Sequence, residues 1–320
     1  MSILGLTYFL TAAEELNISR AAEKLYISQQ TLSGHIQRLE EHYGVKLFRR
    51  RPTLRLTPAG ETMLFYARQM LGAEHRMTAQ FADIVSQCRG HLRLGMSRQR
   101  TQALFCGIWA RFYPENPNIS VYLKDANTEV LLEQLRSDAL DLVIGVDVRP
   151  NRELMVTPLA TEPLYCTVNS ALLRQYRPDN WHLLLTEYEA KGVDLLSLQD
   201  LPFLMPPVEN RLREVTEQLF VSEGVHPRVV LETNNQSLMM DLADSGIGIL
   251  SALFLYEVLQ GRHPLPEGTR VFPVRNEVSS AEVSLVCRVG VTQPNYVEHM
   301  KDAIYQEFAA YQEVIEQRQL

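Results

Sequence analysis

The chain has 320 residues, of which 46% are hydrophobic and 22% are charged. These proportions are typical of folded globular proteins and exclude a disordered or fibrous chain. Uncharged apolar stretches such as the 12 residues from Ser245 to Tyr256 are too short to cross a bilayer, and the start of the chain lacks the basic segment of a signal peptide. We therefore expect a cytoplasmic protein of two or three domains.

Charge is distributed unevenly along the chain. The net charge is −7 overall, but residues 1–60 carry +3, residues 61–89 are neutral and residues 90–320 carry −10. Only five of the 31 basic residues are lysines, and the planar guanidinium of arginine suits phosphates and guanine edges. A basic head on an acidic body indicates that only the head meets a polyanion.

The head has the pattern of a helix-turn-helix. Apolar spacing predicts a first helix from Ile3 to Leu16, and Ser19 is a candidate cap for a short helix from Arg20 to Leu25. Ser28 is a candidate cap for a longer helix from Gln29 to His42, which Gly44 would end. Two helices joined by a short turn, the second polar on its outer face, are typical of this DNA-binding motif.

A basic hairpin follows the third helix. Two short predicted strands, Val45–Phe48 and Thr53–Leu56, flank the run Arg49-Arg50-Arg51-Pro52. The pattern predicts a winged helix-turn-helix bound to double-stranded DNA. The predicted DNA-contacting residues are Ser28, Gln29, Gln30, Thr31, Ser33, His35 and Arg38 on the helix and Arg49, Arg50, Arg51 and Arg55 on the wing. The alternative for the basic run is a solvated surface.

A long helix is predicted from Thr57-Pro58 to about Cys88. Its apolar seam alternates spacings of four and three through Met63, Ala67, Met70, Glu74, Met77, Phe81, Ile84 and Cys88. A seam this regular favours pairing with the same helix of a second copy, which would bring together two DNA-binding heads. Packing on the chain's own body is the alternative.

From Gly90 onward, strands alternate with helices, which predicts mostly parallel sheets covered by helices. The strands near 154–168 are expected to cross from a first lobe to a second, and the chain is expected to return from Val271. The overall class is α/β: a mostly α-helical winged helix-turn-helix (1–58), a linker helix (59–89) and a two-lobed effector domain (90–320). Lobe I would span about 90–161 and 269–320, and lobe II about 162–268.

The segment from Ser19 to Ser33 resembles the DNA-binding head of the LysR-type transcriptional regulators. The similarity continues through Ile36, Leu39-Glu40, Gly44-Val45, Leu47-Phe48-Arg49 and Leu56 to Gly60, and more loosely through Gly90 to Gly95, Phe112 to Pro114, Asp141 to Gly145 and Ser245 to Leu250. Departures from the family pattern are Gln30 in place of proline, Gly34 in place of a basic residue and His35 in place of glutamine. The stretch 171–198 is longer than expected and is predicted to hold an extra helix.

The resemblance implies a periplasmic-binding-protein-like body that senses a small molecule, a dimer through the linker helix and a homotetramer that activates or represses transcription, with RNA polymerase as a candidate partner. The residues themselves indicate an anion site, because Ser97 to Thr101 opens a helix beside Arg98 and Arg100, with Thr101 as a candidate cap. An exposed surface loop is the alternative there.

The predicted effector-binding set combines that helix start with positions implied by the resemblance. It comprises Ser97, Arg98, Gln99, Arg100, Thr101, Asp125, Thr128, Gly145, Asp147, Thr167, Met205, Pro206, Pro207, Gln236 and Gly246. A small carboxylate or other anionic metabolite is expected. Asp125 and Asp147 leave open an amino acid or a ligand that carries a cation.

The sequence shows no recognisable catalytic, metal or cofactor motif. Gly246-x-Gly248 lacks the third glycine of a nucleotide loop, the eight histidines have no metal-ligand spacing, and no nucleophile elbow occurs. Cys106 is expected to be a packed thiol. We therefore expect no cofactor, no metal and no enzyme. The competing hypotheses are a cytoplasmic solute-binding protein without DNA function and an enzyme with a DNA-binding appendage.

Overall fold

The computed structural model describes residues 2–49, 53–84, 90–275 and 280–316. The N-terminal head has three helices and a two-stranded hairpin: α1 (Ile3–Glu15), α2 (Ile18–Lys24), α3 (Gln29–Tyr43), β1 (Phe48–Arg49) and β2 (Arg55–Leu56). Its core is formed by apolar side chains from all three helices, including Leu6, Phe9, Leu32 and Ile36, together with Leu47 before the hairpin. Arg50, Arg51 and Cys88 lie outside the described residues.

The start of α2 differs from the prediction. Asn17, not Ser19, is the N-cap, and its side chain accepts a hydrogen bond from the Arg20 backbone N–H at 3.1 Å. Asn17 has the extended backbone of a cap residue, whereas Ser19 lies inside the helix and its hydroxyl donates to Gln29 Oε1 at 3.3 Å. The helix therefore begins two residues earlier than expected.

A single long helix, α4 (Pro58–Ile84), follows the head. Its 27 residues extend for about 40 Å. The first two positions of the predicted seam, Met63 and Ala67, pack on the core of the head together with Leu71, so this part of the seam is covered by the same chain. Met70, Met77 and Phe81 are 42%, 49% and 58% exposed, and among the described residues they form an apolar stripe on the helix surface.

The first lobe of the body is a five-stranded sheet in the order β4-β3-β5-β12-β6. Its strands are β3 (Gly90–Met96), β4 (Ile119–Asp125), β5 (Leu142–Val146), β6 (Leu154–Glu162) and β12 (Ala281–Arg288), and its helices are α5 (Arg98–Phe112), α6 (Thr128–Arg136) and α12 (Asn295–Glu316). The main core lies between the sheet, α5 and α12, and it also includes the apolar run from Ala252 to Tyr256.

The second lobe is a five-stranded sheet in the order β11-β7-β10-β8-β9. Its strands are β7 (Leu164–Asn169), β8 (Pro202–Met205), β9 (Arg228–Glu232), β10 (Ile247–Ser251) and β11 (Thr269–Pro273). Its helices are α7 (Ser170–Tyr176), α8 (Trp181–Lys191), α9 (Arg211–Glu223), α10 (Gln236–Asp241) and α11 (Ala252–Leu259), with a short 3-10 helix at Leu195–Leu198.

The long stretch 171–198 holds α7, α8 and the 3-10 helix rather than one extra helix. Leu172, Leu185 and Tyr188 from this stretch are buried in the core of the second lobe. The insertion is therefore part of the lobe's packing, and its apolar residues are the reason that it folds.

The chain crosses between the lobes twice, and the second crossing was predicted at the wrong place. The first crossing is at Pro163, between β6 and β7, as expected. The prediction that the chain returns at about 269 is wrong, because β11 pairs antiparallel with β7 from Thr269↔Asn169 to Pro273↔Tyr165. The return falls between Pro273 and Ala281.

The sheets are mixed, not mostly parallel. Because each lobe receives strands that arrive from the other lobe, β12 runs antiparallel to both β5 and β6, and β10 runs antiparallel to β7. The remaining pairs β3·β4, β3·β5, β8·β9 and β8·β10 are parallel. In the part of the chain that the structure describes, no helix has the length and apolar character needed to span a membrane.

Candidate DNA-binding and effector sites

The N-terminus of α3 presents three exposed polar side chains on a firmly capped turn. Ser28 Oγ accepts a hydrogen bond from the Thr31 backbone N–H at 3.0 Å and lies 2.8 Å from Thr31 Oγ1. Gln29, Gln30 and Thr31 are exposed on the first turn that follows. Since the cap fixes the helix start, these side chains point outward together, in a position suited to base edges in a major groove.

Charge pairing within the head leaves a specific set of arginines for phosphate. Arg20 and Lys24 both pair with Glu15, at 2.8 and 3.0 Å. Lys46 pairs with Glu40 at 2.8 Å. Three exposed guanidinium groups of the head have no carboxylate partner among the described residues. They belong to Arg38, Arg49 and Arg55. Arg38 lies on α3, and Arg49 faces Arg55 across the hairpin.

Two predicted contact residues of α3 are half-buried rather than fully exposed. The His35 ring packs edge-on against Tyr8 of α1, with ring centroids 4.8 Å apart. Ser33 is half-buried on the same helix. Gly34 between them leaves open space, and a Cβ there would meet only the Arg38 guanidinium, at 4.0 Å. The structure would therefore accommodate a side chain at this position without a clash.

A buried carboxylate joins α3 to the wing. Glu40 is 4% exposed and accepts hydrogen bonds from Lys46 Nζ (2.8 Å) and from the backbone N–H groups of Leu47 (2.9 Å) and Phe48 (3.4 Å). Burial opposes ionisation of Glu40, but these three donors outweigh it and lower the pKa of the carboxyl below its usual 4.5. The ionised side chain fixes the wing's position relative to α3.

We expect Glu40→Gln to destabilise the head by about 1–2 kcal/mol at pH 7, because charge-assisted hydrogen bonds are replaced by neutral ones. The pKa is lowered in the folded state, so this stability exists above the unfolded pKa and is lost as pH falls through the folded value. Calorimetry of the full chain should show an earlier head transition at neutral pH and a smaller difference from wild type in acid. Glu41→Gln is the matched control, since Glu41 is exposed and bonded to Gln37; an equal effect there would contradict the assignment.

The two lobes of the body enclose a cleft of about 350 Å³. Four helices begin at its wall, and each of their N-cap residues lines it: Ser97 of α5, Asn127 of α6, Asn210 of α9 and Ser251 of α11. Helix N-termini carry unpaired backbone N–H groups and partial positive charge. The partially positive N-termini of helices from both lobes therefore face the same cleft.

A buried arginine lies in the wall of the same cleft. Arg100 is 6% exposed, its Nη2 donates to Glu162, and its Nη1 donates to Ser97 Oγ at 3.4 Å. Tyr311 also donates to Glu162, at 3.2 Å. Arg100 Nε is buried and has no hydrogen-bond partner among the described residues. A buried donor without a partner is costly, so an acceptor on a bound molecule would satisfy it.

An ion pair joins the two lobes at the edge of the cleft. Arg211, the first residue of α9 in lobe II, pairs with Asp147, which follows β5 in lobe I. Asp147 has φ +49° and its Oδ1 also accepts the Glu282 backbone N–H at 2.8 Å. Because its two members belong to different lobes, this pair exists only while the lobes are close together.

A second cavity of about 760 Å³ adjoins the cleft, and Gln99, Asn210, Ser251 and Leu253 line both. Arg98 and Gln236 lie in its wall. Gln236 Oε1 accepts hydrogen bonds from the Ser251 backbone N–H (2.8 Å) and hydroxyl (3.2 Å). Gln236 therefore positions the N-terminus of α11 at the cleft.

Family models match both parts of the chain. Residues 4–61 match the bacterial regulatory helix-turn-helix protein, lysR family, and residues 86–309 match the LysR substrate binding domain. The second match alone covers more than half of the 320 residues. The chain belongs to the LysR family of transcriptional regulators. It is thus a DNA-binding regulator with an effector-sensing domain, and its family comprises regulators rather than enzymes.

Full-length relatives and structures agree with this assignment. The hydrogen peroxide-inducible genes activator of Pectobacterium carotovorum subsp. carotovorum is 27% identical over 319 residues, covering 98% of this chain and 99% of that protein. A full-length OxyR variant from Pseudomonas aeruginosa has a TM-score of 0.66 at 23% identity, covering 95% of this chain and 98% of that one. CbnR complexed with its target DNA has a TM-score of 0.60 at 19% identity, covering 96% and 100%. The two structures share the fold of this LysR-type regulator.

Six of the predicted effector residues line the cleft or the adjoining cavity, and they are Ser97, Arg98, Gln99, Arg100, Thr128 and Gln236. Asp147 lies at the edge, in its ion pair with Arg211. The prediction that Thr101 caps the helix is wrong: α5 begins at Arg98 and Ser97 is its N-cap. The Thr101 hydroxyl instead donates to Asp125 at 2.9 Å, and neither residue lines either cavity.

The other predicted effector residues of this regulator line neither cavity. Thr167 is fully buried between β7 and β10, where its hydroxyl accepts the Gly248 N–H at 2.9 Å. A Cβ on Gly246 would meet Leu204 at 2.9 Å, and one on Gly145 would meet Val148 at 2.7 Å, so both glycines allow close packing. Met205, Pro206 and Pro207 end and follow β8, and the Pro206 carbonyl accepts from Arg213 at 2.9 Å.

Four residues that the sequence did not single out contribute to the cleft. Asn210 and Ser251 have a local signal, because each is a capping residue type directly before a helical pattern. Glu162 and Arg211 have none, since their partners Arg100 and Asp147 are more than 60 residues away in the chain. In the head, Tyr26 was also missed: it is 96% exposed with φ +54°, beside the start of α3.

The cysteines of this regulator differ in reactivity. Burial raises the pKa of Cys166 to about 12 and also raises the pKa of Cys287, whereas Cys106 is exposed. The thiolate is the reactive form, so buried thiols of high pKa react slowly. The expectation that Cys106 is a packed thiol is therefore wrong, because its side chain lies on the outer face of α5.

We expect iodoacetamide at pH 8 to label Cys106 in the native chain within minutes and to leave Cys166 unlabelled until the protein is unfolded. Peptide mapping by mass spectrometry reads each site separately. Cys106→Ser should abolish the fast reaction at that peptide without changing the others. Rapid native labelling of Cys166 would contradict the buried placement.

Proposed function

We propose that this regulator senses a small anionic metabolite in the interlobe cleft and binds promoter DNA through α3 and the wing. The observation that carries the effector proposal is the convergence of four helix N-termini on a space whose wall holds the unpartnered Nε of Arg100. Positive helix ends and a guanidinium donor favour a carboxylate or phosphate. The proposed contacting residues are Ser97, Gln99, Arg100, Thr128, Asn210 and Ser251.

The DNA part of the proposal rests on the arginines that have no carboxylate partner among the described residues. Gln29, Gln30 and Thr31 would read bases, while Arg38, Arg49 and Arg55 would bind phosphates. Arg50 and Arg51 extend the same hairpin in the sequence and are proposed to act with them. A solute-binding protein without DNA function is disfavoured, because it would have no use for a complete basic head.

The exposed stripe of α4 supports a homodimer through the linker helix. Met70, Met77 and Phe81 are about half exposed in the part of the chain that the structure describes, and the same face of a second copy would bury them further. Two dimers would then assemble as a tetramer, with four heads on one promoter in the cytoplasm, where RNA polymerase is the proposed downstream partner.

The effector proposal is tested by thermal unfolding of the full chain against a panel of small carboxylates, phosphates and amines. An effector at 100 times its dissociation constant adds about 2.7 kcal/mol, which raises the melting temperature by roughly 5–10 °C for a domain of this size. We expect a carboxylate or phosphate to do so, and Arg100→Gln to abolish the shift. Arg98→Gln is the matched control, since Arg98 is exposed. Stabilisation by amines alone would overturn the anionic assignment and favour a cationic effector.

A further inference from the structure

Asp138 receives guanidinium groups from three separate elements. It is 3% exposed and lies in the turn after α6, with φ +61°. Arg76 of the linker helix donates to both of its carboxylate oxygens, at 2.6 and 2.7 Å. Arg288 of β12 donates at 2.6 Å and Arg93 of β3 at 3.4 Å. The carboxylate therefore connects the linker helix to two strands of lobe I.

The linker helix approaches this carboxylate unusually closely. Gly72 lies one turn before Arg76, and a Cβ at Gly72 would be 2.0 Å from Asp138 Oδ2. Any larger residue would force either the helix or the Asp138 carboxylate out of its present position. Arg76 itself is largely buried, with 18% of its side chain exposed. The glycine and the arginine together form a docking face on α4 that fits one point on the effector domain.

A rigid unit connects this docking point to the effector cleft. Helix α6 begins in the cleft wall at its cap Asn127 and ends at the turn that holds Asp138, and β5 runs back to the cleft from that turn. At the cleft end, Thr128 Oγ1 accepts the Val146 N–H at 3.2 Å. Between the two ends lies a dedicated apolar cluster of Leu131, Leu135, Leu140, Val143, Leu154 and Val286.

The cleft end of this unit is also where lobe II is held. Asp147 directly follows β5 and forms the ion pair with Arg211 of α9. Opening or closing of the lobes must break, form or redirect this pair. Because α6 and β5 are packed as one body, a displacement at Asp147 is transmitted to Asp138 at the other end.

We propose that Asp138, Arg76 and Gly72 couple closure of the lobes to the orientation of the linker helix, and thereby to the spacing of the DNA-binding heads. The proposal rests on the proposed effector cleft and DNA-binding head, and adds the contact through which one acts on the other. Asp138 and its partners are positioning residues in this scheme and touch neither effector nor DNA.

The linker side of the contact can be altered without unfolding lobe I. When Arg76 is removed, Asp138 and Asp141 still face Arg93 and Arg288, so two carboxylates remain with two guanidiniums. Arg68 offers a matched control on the same helix, because its ion-pair partner among the described residues is Glu14 of the head, at 3.9 Å.

The experiment is a double-mutant cycle on the full chain. Arg211→Gln opens the ion pair without any effector, and it is combined with Arg76→Ala, with Gly72→Leu or with Arg68→Ala. Two readouts are used: affinity for a duplex selected by the wild-type chain from a random library, and deuterium uptake of α6 and of α4 without DNA. The cycle measures the energetic coupling between the ion pair and the linker contact, which their proximity in the structure does not demonstrate.

We expect Arg211→Gln to change DNA affinity at least fivefold, the lower range of typical allosteric coupling, in the wild-type and Arg68→Ala backgrounds. In the Arg76→Ala and Gly72→Leu backgrounds the change should fall below twofold, and the increase in deuterium uptake should stop at α6 without reaching α4. Equal effects in the Arg76→Ala and Arg68→Ala backgrounds would overturn the coupling. If no duplex is bound but the deuterium cycle behaves as stated, the coupling stands and the DNA-binding proposal fails.

Discussion

Replacing Arg49 and Arg55 by alanine should lower the affinity for the selected duplex at least 100-fold at about 100 mM salt, with a flatter salt dependence. In a dimer the double variant removes four phosphate contacts, so the slope of log K against log salt should decrease in magnitude by about 3.6. Both arginines are exposed on the wing and unpaired among the described residues. Fluorescence anisotropy titrations between 50 and 300 mM salt, roughly the range in which counterion release is resolved, measure both effects.

The matched control for the wing is Arg20→Ala/Lys24→Ala. It removes the same number of positive charges from the head, but both side chains already pair with Glu15. We expect less than a threefold change in affinity, with the salt slope retained. A loss equal to that of the wing variant would mean that the overall charge of the head, and not the hairpin, binds the duplex.

Replacing Met77 and Phe81 by glutamate should dissociate the dimer. Each side chain is about half exposed in the single chain, so burying the exposed half in a partner contributes roughly 0.8–1.5 kcal/mol, about half of the value for full burial. Four such side chains are lost per dimer, which amounts to roughly 3–6 kcal/mol, and four carboxylates are placed together, so the dissociation constant should rise by at least about 100-fold. Analytical ultracentrifugation at micromolar concentration should show a monomer.

Thr62→Glu is the control for the dimer stripe, since Thr62 is exposed on the same helix but 15 residues before Met77. It should leave the assembly unchanged. Dissociation by Thr62→Glu would indicate that a glutamate acts by destabilising the helix and not by removing an interface. A dimer that persists in Met77→Glu/Phe81→Glu would place the main interface on the effector domain.

Local sequence signals predicted most of the secondary structure of the head. The spacing of Leu32, Ile36 and Leu39 and the cap at Ser28 predicted α3 to within one residue at its end, because helix periodicity and capping depend on neighbours in the chain. The same reasoning misplaced the cap of α2 by two residues, since Asn17 and Ser19 are both good capping types and only the backbone conformation decides between them.

The seam of α4 shows where periodicity stops being informative. The sequence predicted one continuous partner-facing line, but Ala67 is buried against the head while Met77 and Phe81 are exposed. An apolar stripe indicates that another surface covers it, but it does not identify that surface. The division of the helix between its own head and a second copy follows from the tertiary packing of α1.

By itself the sequence determined the winged head, the long helix, the order of strands and helices in the body and the family, because these depend on spacing, caps and local motifs. Only the tertiary structure decided that β11 joins lobe II, that Glu162 pairs with Arg100 and that Asp138 binds Arg76, Arg93 and Arg288. The physical reason is common to all three. A strand edge or a buried charged side chain pairs with the groups that the fold brings within about 4 Å. These groups lie 45–150 residues apart in the chain, so the local sequence pattern around each residue does not indicate its partner.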